Sequence, residues 1–226
     1  QGRNSRWALR DIKAFSEMHR NLELSVEDGS RIQVAVGRGG LLGPQAAAAL
    51  AGLSVLRQVS RTASDSDSPP IASSGEGAIG LLTQDVLRSS YRELNISSKY
   101  RNSLGQVTGL TPFSHAAGIM PAVLDKEVSS SALVGSFGEE AALITGASQK
   151  RGSFTVGGSD TLAGQAVLYA SADEPLLAEE LYASGAYLKA GSAHRASLQM
   201  QDVLRWLLIA FIFFSALGKL VRVWIF

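Results

Sequence analysis

The sequence predicts an α/β fold: a mostly parallel sheet with helices on both faces, Rossmann-like, followed by a C-terminal transmembrane helix. Two observations predict the domain. From residue 31, short β-branched runs alternate with longer Ala/Leu-rich ones, the pattern of strands joined by crossover helices. Short Gly/Ser/Asp/Pro loops separate them, as packed βα and αβ connections require. A third observation predicts the anchor. Residues 206–226 (WLLIAFIFFSALGKLVRVWIF) would be about 31 Å long as a helix, close to the ~30 Å hydrocarbon core of a bilayer.

Residues 1–25 read as a basic amphipathic juxtamembrane segment. Arg3, Arg6, Arg10, Lys13 and Arg20 stand against Asp11 and Glu17, and Trp7, Leu9, Ile12, Phe15 and Met18 recur at helical spacing. Such a helix suits an anionic membrane surface, and equally suits docking on the domain. The chain begins at Gln1 rather than Met, so a segment is expected upstream. Basic residues just after a preceding span place the domain on the cytoplasmic side.

The α/β domain occupies residues 26–192. Glu27-Asp28-Gly29-Ser30 forms a turn into a strand at 32–36 (IQVAV). A helix follows at 44–61, with Pro44 at its first position. After the polar loop 64–70 come a strand at 71–74 and a helix at 80–94. Residues 95–105 are irregular, 107–110 form a short strand, and 112–124 a helix bent or broken at Pro121. Strands at 132–136 and 154–156 alternate with helices at 139–147 and 161–170. A last helix spans 175–184, with Gly185 just past its end. Residues 193–226 form one long helix that includes the span 206–226. Trp206 and Trp224 suit the two headgroup levels, and Lys219 and Arg222 can snorkel to the far interface. A buried or interfacial helix is the alternative, because the uncharged part, 206–218, is short.

Composition excludes several functions. Apolar residues make up 46% and charged residues 18% of the chain, which is incompatible with overall disorder. A formal net charge of +1 leaves no footprint for nucleic acid. The absence of cysteine excludes disulfides, thiolate metal sites and cysteine nucleophiles. His19, His115 and His194 lack metal-ligand spacing.

The Gly/Ser loops that open helices are the places for chemistry: 37–43 (GRGGLLG), 73–80 (SSGEGAIG), 135–140 (GSFGEE) and 157–161 (GGSDT). In an open α/β sheet they lie at the carboxyl ends of the strands, where ligands bind. Candidate crevice residues are Arg38, Ser74, Gly75, Gly77, Gly80, Ser136, Ser159 and Asp160. Residues 75–80 (GEGAIG) match the G-x-G-x-x-G phosphate-loop string. Glu76, Glu139, Glu140 and Asp160 oppose a phosphate there, and only Arg38 favours one. Tight turns and close helix–strand packing account for Gly75, Gly77 and Gly80 as well. No Lys-Ser/Thr pair follows a glycine loop, and no G-x-S-x-G string surrounds a serine. Glu139-Glu140 and Glu179-Glu180 are adjacent, so on a helix they diverge by about 100° and form no dyad. His115 is a candidate base inside the domain, and also a candidate structural histidine. No catalytic residue, metal or cofactor is assigned.

The segments VEDGSRIQVAVGRGGLLG (26–43), SDSPPIASSGEGAIGLLTQDVLR (66–88), LTPFSHAAGIMP (110–121), GSDTLAGQAVLYASADEPLLAEELYASGAYL (158–188) and QDVLRWL (201–207) together resemble an uncharacterised family of bacterial membrane proteins. That resemblance implies an α/β domain with a transmembrane helix at each end, integral to the bacterial cell membrane. It implies no site residue. The expected function is a membrane-anchored, non-enzymatic scaffold acting through homo-oligomerisation, with the lipid bilayer and further copies of itself as partners and no nucleic acid. The alternative is a tethered nucleotide or small-metabolite binding domain that uses the Gly/Ser loops.

Overall fold

In the computed structural model, which describes residues 12–187, 200 and 203–215, the chain divides into two compact units, residues 1–190 and 191–226. In the first unit β1 (Arg31–Gly37), β2 (Ile71–Ser74), β3 (Gly105–Val107), β4 (Val128–Ser136), β5 (Phe154–Ser159) and β6 (Glu174–Leu176) form one sheet in the order β3-β2-β1-β4-β5-β6. Every pairing is parallel. The strand order reverses between β1 and β4, the switch point at which doubly wound folds bind ligands.

The helices are α1 (Lys13–Glu27), α2 (Ala46–Ala63), α3 (Gly77–Glu93), α4 (Pro112–Val123), α5 (Ala141–Arg151), α6 (Leu162–Ser171) and α7 (Glu180–Tyr187). Alternation along each strand sends side chains to two separate cores. Ile32, Val34 and Val36 of β1 pack with Leu22 of α1, Leu56 of α2, Ile79 of α3 and Leu181 of α7. On the opposite face Ala35 and Leu133 pack with Ile119 of α4, Ile144 of α5 and Leu168 of α6. Each fully buried Leu or Ile contributes about 1.5–3 kcal/mol. The Ala-rich start of α2 has a steric cause, since Ala48 and Ala49 are fully buried. At Gly52 an added Cβ would sit 2.2 Å from the Val134 carbonyl oxygen, so only small residues allow α2 this close to the sheet.

Several elements differ from expectation. The run Asp173-Glu174-Pro175 looks like a helix start, yet residues 174–176 form the edge strand β6 and α7 begins at Glu180. An edge strand tolerates Pro175, which has no N–H to give. Strand β4 begins at Val128, because Ser130 and Ser131 are buried in the sheet despite their polarity. Helix α3 starts at Gly77, three residues early, because the Glu76 carboxylate accepts the Ile79 N–H at 2.8 Å and caps it. The described part of the basic N-terminal segment docks on the domain: Phe15, Met18 and Leu22 are buried, and Phe15 stacks on Tyr187 with centroids 5.0 Å apart.

The transmembrane expectation is overturned. Among the described residues no helix is long and apolar enough to cross a membrane. In the second unit the described helical stretch is 203–215. Trp206 lies on it, whereas Lys219, Arg222 and Trp224 fall outside the described residues. A span at 206–226, and with it an integral place in a bacterial cell membrane with the domain on the cytoplasmic side, is therefore not supported.

Candidate functional site

The loops after β1, β2 and β4 meet at the switch point and are stitched by backbone hydrogen bonds. The Gly75 N–H donates to the Gly37 carbonyl at 2.8 Å, and the Arg38 N–H to the Ser136 carbonyl at 3.0 Å. Strands β1 and β4 approach so closely here that a Cβ on Gly135 would lie 1.9 Å from the Val36 oxygen. One on Gly37, at φ +75°, would lie 2.6 Å from the Ser136 oxygen.

Arg38 fills what room remains. A Cβ on Gly75 would lie 2.1 Å from Arg38 Cγ and 3.0 Å from His115 Cγ, so the arginine stem lies across the β2 loop. Arg38 Nε stands 3.8 Å from the buried carboxylate of Glu140. His115, brought in by α4, is wholly buried and stacks near Phe137 with centroids 6.0 Å apart. Its Nδ1 pairs with the Thr108 hydroxyl at 2.7 Å. Burial, aided by the Arg38 charge, lowers its pKa to about 4, so it is neutral at physiological pH and a weak base. Its Nε2, Arg38 Nε and Glu140 Oε1 are buried without hydrogen-bond partners among the described residues.

The structure brings Arg38, Gly75 and Ser136 together. Ser159 is committed elsewhere, because its hydroxyl donates to the Phe137 carbonyl at 2.7 Å and accepts the Phe137 N–H at 3.1 Å. Ser74 and Gly80 serve packing: a Cβ on Gly80 would meet Val107 at 2.4 Å and the Ser74 hydroxyl at 3.1 Å. Gly77 has ordinary dihedrals and open space around its Cβ position, so the turn does not require glycine there. Asp160 is half-buried with an unpartnered Oδ1, and its charge helps raise the Tyr182 pKa, after burial of that phenol. In the G-x-G-x-x-G loop Glu76 occupies the helix N-terminus that a phosphate would use. Outside the closed crevice several large apolar side chains are exposed. Leu42 is fully exposed in the β1 loop, and Leu110, Phe113 and Leu162 in the β3 and β5 loops and the adjoining first turns are largely so.

Open space lies elsewhere. A cleft of about 950 Å³ starts at the amino ends of β2 and β3 and runs over the sheet toward Thr108. It exists because α4 packs on α5 and lies over β1 and β4, leaving the short strands β2 and β3 uncovered on that side. Gln33 and Ser73 line its floor, joined by Gln33 Nε2 donating to Ser73 Oγ at 2.9 Å. The loop at 64–69, the end of α3 at Tyr91, residues 98–104 and the second half of α4 at Ile119 and Pro121 form its walls.

A family profile described as a domain of unknown function (DUF6754) matches residues 2–226. The chain belongs to the DUF6754 family. No curated protein matches the chain, and no solved structure does.

Within this DUF6754 chain, sequence reasoning names Arg38, His115 and Glu140, but Glu140 only as a charge against phosphate and not as the buried carboxylate beside Arg38. Glu140 is buried and its neighbour Glu139 exposed, so the two carboxylates diverge as their adjacency implies. Gln33 was also legible in principle, as the one polar residue inside IQVAV. On a strand covered on both faces such a residue must meet either a partner or a polar cleft.

Proposed function

We propose that this DUF6754 chain is a non-enzymatic scaffold that acts through homo-oligomerisation. The helix 203–215 carries the reading. Ten of its large apolar side chains, from Val203 to Phe214, are each more than half exposed. Successive residues 206–209 and 211–214 point in all directions at about 100° per residue. A helix apolar all round must be covered all round. One neighbouring helix buries a single stripe, so each copy needs several neighbours, and equivalent helices of further copies supply identical surfaces. The formal charge of +1 raises little long-range repulsion between copies. The apolar loops of the carboxyl edge offer a second contact surface.

Sedimentation velocity across a concentration series tests this. The wild-type chain should form one discrete species larger than a dimer. Leu208→Glu with Phe211→Glu should weaken assembly at least about tenfold, with melting of the α/β unit unchanged. A monomer at all concentrations, an open-ended size distribution, or assembly that survives both charges would overturn the reading.

A further inference from the structure

The polar cleft is independent of the self-association reading, and its chemistry is specific. Gln33 is 1% exposed in the middle of β1, and its Oε1 has no hydrogen-bond partner. Turning the amide over only exchanges the roles of its two ends, so one end stays unsatisfied either way. A buried amide end facing a cleft demands a donor or acceptor that the rest of the described chain does not supply. The charges that face the cleft are Arg31, Lys99, Arg101, Asp67 and Asp125. Arg31 is held by Glu127 at 3.2 Å and Lys99 by Asp65 at 2.6 Å. Arg101 makes no ion pair among the described residues and stands near enough to Tyr91, with Lys99, to act on its phenol. The cleft volume, about 950 Å³, lies within the range of small-molecule sites. Gln33 and Ser73 on its floor call for polar groups on a guest.

We infer that this cleft binds a small hydroxylated metabolite bearing a phosphate or carboxylate group, with Gln33 and Ser73 engaging the polar body and Arg101, helped by Lys99, the anion. The floor thus supplies hydrogen bonding to hydroxyls, and the wall supplies charge. Both are needed, which separates such a guest from a bare anion. Phosphate and carboxylate share the recognition by Arg101, and the probes distinguish them.

The test uses the full chain with ribose 5-phosphate and citrate as organic anions, inorganic phosphate as the bare anion and ribose as the neutral body. At least one organic anion should raise the melting temperature saturably and shift the Gln33 side-chain amide signals in a nitrogen–proton correlation spectrum. Arg101→Glu, an exposed substitution, should weaken that binding tenfold or more without changing the unliganded melting temperature. Gln33→Leu should weaken it by a similar factor and release any preference for hydroxylated guests. The inference is overturned if neither organic anion moves the Gln33 signals. It is overturned equally if inorganic phosphate does as much as the organic anions, or if Arg101→Glu leaves affinity unchanged.

Discussion

The carboxyl edge of the sheet and the cleft at its amino side invert the usual division of labour. In a sheet of this strand order the carboxyl edge is where ligands bind. Here it is shut by its own residues: Glu76 caps α3, Arg38 lies over Gly75, and β1 touches β4 through Gly37 and Gly135. The amino side, ordinarily inert, holds the open polar space, because β2 and β3 are short and α4 sits elsewhere. Topology nominates a place for function, and side chains decide whether it is vacant.

The closed edge can be broken in graded steps. The largest effect belongs to Gly135→Ala, whose Cβ would collide with the Val36 oxygen at 1.9 Å. Backbone rather than a flexible side chain is in the way, so a loss of about 4 kcal/mol or more is expected in denaturant unfolding. Next comes acid. The fold keeps His115 neutral down to a pKa of about 4, below its ordinary 6.5. The unfolded chain therefore binds the extra proton first. Stability is full above about pH 6.5 and declines as pH falls toward 4, by up to about 3 kcal/mol. His115→Gln should flatten that slope, measured by denaturant titration at about pH 7 and about pH 4. Glu76→Ala removes a cap and should cost about 1 kcal/mol in the same assay. The smallest change has the opposite sign. Gly77→Ala meets nothing within 4 Å and should add about 0.5 kcal/mol by restricting the unfolded chain.

Gly77 also shows where sequence reading stops. G-x-G-x-x-G treats its glycines alike, yet Gly75 and Gly80 are needed for close approach and Gly77 is not. The strand–helix alternation was legible because hydrophobic periodicity records which face is buried, and it placed β2 at 71–74 as observed. Strand β6 was not legible, since its pairing with β5 comes from distant chain and Asp173-Glu174-Pro175 resembles a helix start. Likewise the strand expected at 132–136 omits Ser130 and Ser131, because only the assembled sheet buries them. The transmembrane expectation failed for another reason. It rested on apolar character along 206–226, and among the described residues no helix is both long and apolar enough to cross a membrane. The crevice residues Arg38 and Ser136 were found from loop position alone. Gln33 and the burial of Glu140 beside Arg38 escaped, because burial rather than residue type gives them their interest.

The two outermost strands carry a last consequence. Both β3 and β6 are three residues long, and β6 contains Pro175. An exposed strand margin invites another chain to extend the ladder, unless it is too short or lacks donors to offer. This sheet is blunted on both sides. Crowded copies of this protein should therefore join through side chains and come apart again on dilution, without growing into fibrils or gaining β-structure as they gather.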